Sequence, residues 1–170
     1  INEADLPSAN EKLNILQMCV ERLAEAGYVL IGMDHFARPD DELAIALSEQ
    51  TLQRNFQGYS TFADTNMLAF GVSSIGFVGN SYYQSAKDLD SYYNFLNADQ
   101  LPILRGLLLS PDDVLRREII QQIMCQFELN YAAVAEKYQL DFASYFAAEL
   151  AELPELAEIG LITLTPSGFQ

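Results

Sequence analysis

A helix that ends directly on an apolar strand is the feature of this sequence that most limits its fold. Ser8 and Glu11 form the pattern of a capping box, apolar residues then recur at helical spacing, and Gly27 supplies a left-handed stop. These signals predict a helix over about 11–26. Residues 28–33 follow at once and are apolar with little alternation, which is typical of a strand covered on both faces in a parallel sheet. The junction therefore predicts half of a βαβ unit.

The same alternation of strand and helix signals continues as far as residue 96. The sequence predicts a short helix over 43–52, a second buried strand over 67–73 and a helix over 85–96, with a linker over 97–102. We therefore expect residues 1–96 to form an α/β unit.

The residues after the linker change in character. Ser110 is a strong N-cap for a helix that begins with a proline, and shorter helices are predicted over 131–138 and 141–153. A strand-like segment with a Pro-Ser-Gly turn then ends the sequence. Three short helices followed by a hairpin-like end are typical of a winged-helix module. The predicted fold class is therefore α/β plus α, with residues 97–170 as a helical, winged-helix-like domain.

The charge balance excludes several classes of ligand. The 170 residues include 24 acidic and 9 basic side chains, for a net charge of −15. Nucleic acid and anionic lipid are bound mainly through clustered Lys and Arg, so we expect neither nucleic acid nor a membrane as a partner. No apolar run reaches the roughly 18 residues that a bilayer span needs, and the first residues do not resemble a signal peptide. We predict a cytoplasmic protein.

Cysteine and histidine content also limits the chemistry. Cys19 and Cys125 lie far apart in the sequence, each within an apolar helical pattern, which favours two reduced core thiols over a disulfide or a metal site. One histidine cannot make a His-rich metal site. We predict no metal ligands in this chain.

Several segments carry a specific resemblance to one enzyme family. They are YVLIGMDHFARPDD at 28–41, RNFQGY at 54–59, DT at 64–65, LAFGVSSI at 68–75, LRREII at 115–120 and LDFASYF at 140–146. Together they resemble the oxygen-independent coproporphyrinogen III oxidases, which are radical S-adenosylmethionine enzymes of haem biosynthesis. The resemblance covers nearly the whole chain.

The resemblance implies an activity, cofactors and partners. Enzymes of this family convert two propionates of coproporphyrinogen III to vinyl groups, giving protoporphyrinogen IX, and pass electrons to an acceptor that this sequence does not identify. An N-terminal Cys-x3-Cys-x2-Cys motif holds a [4Fe–4S] cluster that cleaves S-adenosylmethionine to a radical, and a second S-adenosylmethionine binds beside the first. Three thiolates close together are needed for such a cluster, and the motif is missing here.

The missing motif implies that this chain is a C-terminal fragment that is inactive alone. Residues 1–96 would then be the last strands and helices of an incomplete radical SAM barrel, and residues 97–170 a helical domain truncated at its end. The upstream barrel portion of the same protein would be the partner of this fragment.

Asp34 and His35 are the candidate catalytic residues. They follow a predicted barrel strand, at the face where barrel enzymes assemble their chemistry. A neutral imidazole both donates and accepts near pH 7, so the pair could orient the macrocycle and move a pyrrole proton. Alternatively, Asp34 caps a turn and His35 is a structural histidine.

Five further residues are candidate ligand contacts. Phe56, Gln57 and Ile75 match family positions that line the second S-adenosylmethionine, where apolar side chains sandwich adenine and an amide reads its polar edge. Without the resemblance, Phe56 and Ile75 would be assigned to the core. Arg38 and Arg54 flank the best motifs and could bind substrate carboxylates bidentately, although Asp40 or Asp41 could pair with Arg38 instead.

Two other functions remain open at the level of sequence. A sister family of haem chaperones shares the barrel, but its motifs differ at 34–35 and 54–59 and include a Trp, which this chain lacks. The second alternative is a winged-helix interaction domain on a degenerate barrel. Its candidate recognition helix at 141–153 has three acidic residues and no Lys or Arg.

Overall fold

The structure is a computed structural model that describes residues 5–63 and 65–169. Asp64, which belongs to one of the family segments, lies outside the described residues. Seven helices are present in the described part of the chain: α1 (Ala9–Glu25), α2 (Glu42–Ser48), α3 (Leu89–Asn97), α4 (Pro111–Gln126), α5 (Tyr131–Tyr138), α6 (Phe142–Tyr145) and α7 (Ala147–Glu158). Among them, none combines the length and the apolar composition that a membrane span requires.

The described strands are short and form four small antiparallel sheets. The strands are β1 (Val29–Gly32), β2 (His35–Ala37), β3 (Gln53–Asn55), β4 (Gly58–Ser60), β5 (Ile75–Val78), β6 (Ser81–Ser85), β7 (Ile103–Leu108), β8 (Leu129–Asn130), β9 (Leu164–Thr165) and β10 (Gly168–Phe169). The sheets are the hairpins β1-β2 and β3-β4, and the three-stranded sheets β5-β6-β7 and β8-β10-β9. Within the described residues there is no closed barrel.

Helix starts predicted from capping signals are confirmed. Ser8 and Glu11 make both hydrogen bonds of a capping box at the start of α1, and Gly27 follows that helix with φ +85°. Ser110 and Asp113 form a second capping box on α4, with Pro111 at its first position. The predicted helix at 131–138 matches the bounds of α5.

The predicted parallel strand at 28–33 is wrong in its pairing. β1 pairs antiparallel with β2, with Val29 opposite Ala37 and Leu30 opposite Phe36. The chain reverses at once because Gly32 and Met33 both adopt positive φ, +152° and +53°. Asp34 therefore lies in a hairpin turn, and not at the end of a barrel strand.

The predicted second buried strand at 67–73 is also wrong, because the segment forms only one isolated bridge, from Met67 to Phe77. Tyrosine hydroxyls, and not a neighbouring strand, accept hydrogen bonds from two of its backbone amides. The Ala69 N–H donates to Tyr83 Oη at 3.1 Å, and the Gly71 N–H donates to Tyr92 Oη at 3.1 Å. Because these side chains satisfy the hydrogen bonds of the backbone amides, the apolar segment does not have to join a sheet.

Three further boundaries differ from the sequence prediction. The helix predicted over 85–96 begins only at Leu89, because Asp88 accepts from the Ser91 N–H as its N-cap and Ser85 belongs to β6. The helix predicted over 141–153 is divided into α6 and α7 at Phe146. The helix predicted over 43–52 ends at Ser48.

Two core clusters hold these elements, and α4 contributes to both. The first joins the β1-β2 hairpin and α2 to α4, and consists of Ile31, Ala37, Ala44, Ala46, Leu52 and Cys125. The second joins α4 to the following helices, and consists of Leu115, Leu129, Val134, Phe142 and Phe146.

The sheet β5-β6-β7 spans the predicted domain boundary at residue 96, since β7 pairs with β6. The division at that residue stays a prediction.

Candidate functional site

The turn of the β1-β2 hairpin presents the Asp34-His35 pair to solvent. Nδ1 of His35 lies 3.0 Å from Oδ1 of Asp34, and the side chains are 44% and 84% exposed. An N–H donated from Nδ1 to the carboxylate leaves Nε2 of the neutral ring as an acceptor. The pair is thus arranged to orient an imidazole that accepts a proton or a hydrogen bond at Nε2.

The β3-β4 hairpin packs against this turn. The His35 ring meets the Tyr59 ring edge-on, with centroids 5.2 Å apart and planes at 77°. Nη2 of Arg54 lies 3.3 Å from Sδ of Met33, in the turn of the first hairpin. The structure therefore brings Arg54 close to the Asp34–His35 pair, which the sequence analysis selected separately from it.

Tyr59 fixes the two hairpins to α4. Its hydroxyl donates to the backbone oxygen of Met124 at 3.2 Å, and burial raises the pKa of its phenol, so the hydroxyl remains a donor at neutral pH. Gly32 lies directly beneath the ring, where a Cβ atom would overlap the Tyr59 hydroxyl. Only glycine fits at this position of the turn, which also has positive φ.

Gln121 of α4 holds the backbone at Arg54. The Arg54 N–H donates to Oε1 of Gln121 at 3.0 Å, and Nε2 of Gln121 donates back to the Arg54 carbonyl. Sγ of Cys125 lies 3.4 Å from the same Oε1. Burial raises the pKa of the Cys125 thiol to about 11, so this cysteine is a protonated hydrogen-bond donor at neutral pH and not a thiolate ligand.

The candidate cofactor residues lie near one another but in different settings. Phe56, in the β3-β4 turn, is 62% exposed and meets the Tyr82 ring edge-on at 5.5 Å. Phe77 pairs with Tyr82 across the β5-β6 register, so these two side chains lie on the same face of the sheet. Ile75 is two residues before Phe77 on the same strand and therefore lies on that face as well. Gln57 follows Phe56 in the turn, where its N–H donates to Oδ1 of Asn55 at 2.8 Å and its side chain is exposed.

Arg38 lies apart from these groups. Its Nε donates to Oδ1 of Asp40 at 3.1 Å, and both side chains are largely exposed. The structure thus joins Arg54, but not Arg38, to the cleft described next.

A cleft of about 770 Å³ opens between α4, the β3-β4 hairpin and the sheet that contains β5 and β6. We call it the aromatic cleft, since its walls include Phe56, Phe77 and Tyr82, together with Arg54, Arg116 and Arg117. The sequence analysis did not select Arg116 or Arg117. Their position in the LRREII segment, which carries the family resemblance, is the signal that could have identified them.

The described residues do not fit an iron–sulfur cluster. Nowhere in 5–63 or 65–169 do three His, Cys, Asp or Glu side chains form a group that could hold a metal ion. The sequence has two cysteines, and Cys125 is buried as a thiol while Cys19 lies half-buried on α1. A cluster ligated by three thiolates cannot be built from these residues.

Known proteins match this chain along its whole length. Residues 109–170 match the family model of the HemN C-terminal domain. Proteins named oxygen-independent coproporphyrinogen III oxidase from Salmonella typhimurium and Escherichia coli are 48% and 46% identical over 170 residues. The alignment covers 100% of this chain and 37% of each of those proteins, so the chain spans a little over a third of the length of these relatives.

A solved structure shows the same arrangement. The coproporphyrinogen III oxidase (HemN) of Escherichia coli, described as a radical SAM enzyme, superposes with a TM-score of 0.93 at 46% identity. The match covers 100% of this chain and 39% of that one. The chain is therefore similar over its whole length to the C-terminal part of the oxygen-independent coproporphyrinogen III oxidases.

Proposed function

We propose that this chain is the C-terminal part of an enzyme that oxidatively decarboxylates two propionates of coproporphyrinogen III to vinyl groups, which yields protoporphyrinogen IX in anaerobic haem biosynthesis. The observation that carries the proposal is the superposition of the entire chain on the Escherichia coli enzyme, with a TM-score of 0.93 at 46% identity. By itself the chain is inactive, because its cysteines do not make a cluster site.

The upstream barrel portion of the same protein is the proposed structural partner. Helix α1 buries none of its residues, and Leu13 and Leu16 on it are 64% and 45% exposed. Every residue of β7 is exposed, including Leu107 and Leu108 at 58% and 76%. Contiguous apolar surface of this kind usually contacts another part of a protein, and the matched relatives extend well beyond this segment.

Within that arrangement, residues 1–96 would complete the radical SAM barrel and residues 97–170 would form the winged-helix-like cap. Helices α4–α7 with the small sheet β8-β10-β9 support the second assignment, since short helices followed by an antiparallel sheet are the elements of that module. The cytoplasm is the proposed location.

The proposed cofactors are a [4Fe–4S] cluster, held by cysteines upstream of this segment, and two S-adenosylmethionine molecules. When bound, these groups supply the one-electron chemistry that begins with abstraction of a propionate β-hydrogen. Phe56 and Ile75 would provide apolar surface for an adenine, and the exposed Gln57 amide would hydrogen-bond its polar edge. The aromatic edge-to-face contact of Phe56 with Tyr82 holds that ring in place.

The proposed role of Asp34 and His35 is to orient the substrate and to hold or move a pyrrole proton. Asp34 positions the imidazole through Nδ1, so that Nε2 is the atom that accepts a proton. Arg54 would bind a propionate from the neighbouring hairpin. Arg38 remains a candidate for the same role, although it must exchange its contact with Asp40 for the ligand.

The full-length protein that carries this segment provides the test. Reconstituted anaerobically and supplied with coproporphyrinogen III, S-adenosylmethionine, a reductant and an electron acceptor, it should form protoporphyrinogen IX with release of two carbon dioxide molecules. Tight, stoichiometric haem binding without turnover would indicate the haem chaperone instead. Neither the described residues nor the relatives named above favour that alternative, or a winged-helix interaction domain, over the oxidase.

Replacement of Gln57 by Ala in the full-length protein should weaken S-adenosylmethionine binding about tenfold with little change in melting temperature. An exposed amide contributes little to folding, but its loss leaves polar groups of a bound ligand unpaired. Equilibrium titration and thermal melting measure the two effects. Ile75→Ala is the comparison, because this half-buried side chain should affect stability as well as binding. If the Gln57→Ala variant depends on S-adenosylmethionine as the native protein does, the β3-β4 turn has a packing role and does not bind the cofactor.

A further inference from the structure

Arg117 is a cation without an anionic partner at the wall of the aromatic cleft. Its Cζ lies 4.1 Å from the centroid of the Phe77 ring and 5.9 Å from that of Tyr82. It makes no hydrogen bond or ion pair with any residue that the structure describes. Contact with ring faces uses the flat sides of a guanidinium and leaves its N–H donors, which lie in the plane, available for a ligand.

The acidic groups near Arg117 are already engaged. The adjacent Arg116 lies 2.9 Å from Asp112 through Nε and 2.7 Å from Glu149 through Nη1. Asp113, which also lines the cleft, accepts hydrogen bonds from the backbone N–H and the hydroxyl of Ser110 at 2.9 and 2.7 Å. These hydrogen bonds lower the pKa of Asp113, so that it stays a carboxylate committed to the helix cap.

Arg54 is the second guanidinium of this cleft that pairs with no carboxylate in the described part of the chain. Its Nη2 contacts the Met33 sulfur, and its Nε is buried with no partner among the described residues. Burial of an unpaired donor costs free energy, and an anion bound in the cleft would relieve that cost. In a chain with 24 acidic and 9 basic residues, two arginines that line one cleft and have no acidic partner within 5–63 and 65–169 point to an anionic ligand.

We propose that Arg117, supported by Arg54, binds a carboxylate of a ligand whose flat, apolar body packs against Phe77 and Tyr82 in the aromatic cleft. The cleft has a volume of about 770 Å³, which is within the range of small-molecule sites. The inference rests on the proposed function, which supplies two ligands with this chemistry. They are the propionates of the tetrapyrrole and the carboxylate of the methionine part of S-adenosylmethionine.

Binding by the full-length protein separates these two sources. Coproporphyrin III, the stable oxidised form of the substrate, is titrated by fluorescence, and S-adenosylmethionine is titrated by calorimetry. Arg117→Gln should raise the Kd of one of the two by about tenfold or more, because it removes charge-assisted hydrogen bonds to a carboxylate. Arg117→Lys keeps the charge but not the bidentate geometry, so its effect should be intermediate.

Lys87→Gln is the control, since it removes one positive charge from an exposed side chain that does not line the aromatic cleft. It should change both Kd values much less than Arg117→Gln. If Arg117→Gln weakens the binding of coproporphyrin III alone, the carboxylate that Arg117 binds is a propionate of the tetrapyrrole. If it weakens the binding of S-adenosylmethionine alone, that carboxylate belongs to the methionine part of the cofactor. Thermal melting of all variants excludes unfolding as the cause, and Arg117→Lys provides the measurement if Arg117→Gln does not fold.

Two negative outcomes have different meanings. If the native protein binds both probes and the Arg117 variants bind them equally well, the carboxylate site is overturned while the proposed function stands. If the native protein binds neither probe, the proposed function fails and this inference fails with it.

Discussion

Replacement of His35 by Ala in the full-length protein should lower kcat for coproporphyrinogen III by about 100-fold or more. General acid–base groups contribute roughly 10²–10⁴ in rate, histidine is the side chain most often used for this role, and His35 is the one histidine of this chain. The side chain is 44% exposed, so its loss should leave the melting temperature nearly unchanged. Anaerobic turnover and thermal melting, measured on the same preparations, are the two readouts.

Asp34→Asn is the matched comparison for His35→Ala. In the proposed function Asp34 is a positioning residue, and its carboxylate lies 3.0 Å from Nδ1 of the imidazole, so the amide variant should lose part of the rate and shift the pH profile of kcat. His35→Gln should not rescue turnover, since an amide does not accept a proton near neutral pH. Turnover of His35→Ala within a few-fold of native would show that the pair only shapes the hairpin turn.

Replacement of Phe142 by Ala should destabilise the helical region by about 3–5 kcal/mol, the usual cost of truncating a buried phenylalanine. Phe142 is 7% exposed, its ring stacks on Tyr131 with centroids 4.5 Å apart and planes at 15°, and it contacts Phe146 at 4.7 Å. Hydrogen exchange of the amides of α5 and α6 in the full-length protein measures this cost. Those amides should exchange at least about 100-fold faster than in the native protein.

Phe142→Leu separates the cavity from other effects of the substitution. Leucine fills most of the volume, so its cost should stay below about 1.5 kcal/mol. Amides of the β1-β2 hairpin should retain native protection in both variants, because Phe142 belongs to the second core cluster and not to the first. If the amides of α5 and α6 exchange as slowly in Phe142→Ala as in the native protein, the stacked rings do not contribute substantially to the stability of this region.

Helix starts were predictable because their determinants are local. Both capping boxes place a serine within three residues of its acidic partner, and the two hydrogen bonds form regardless of the rest of the chain. Strand pairing was not predictable in the same way. An apolar run such as 28–33 fits a parallel or an antiparallel neighbour, and the positive φ of Met33, which reverses the chain, has no signal in the residue type.

The site was only partly accessible from the sequence. Asp34, His35 and Arg54 were selected from motif resemblance, and the structure brings them together through the contacts of Tyr59 and Met33. The sequence analysis did not select Arg117, because the role we propose for it depends on its contacts with rings of β5 and β6 and on the lack of an acidic partner among the described residues. Both conditions depend on residues that are distant in the sequence.

By itself, the sequence determined the family resemblance, the acidic character, the capped helices and the absence of enough cysteines for a cluster. These properties follow from residue identity and from interactions within a few positions along the chain. Only the tertiary structure decided that the strands pair as antiparallel hairpins, that α4 joins two cores, and that Arg54 and Arg117, which have no carboxylate partner among the described residues, line one aromatic cleft. Those outcomes depend on packing and hydrogen bonding between segments separated by dozens of residues, such as Gln121 with Arg54, which local sequence patterns do not encode.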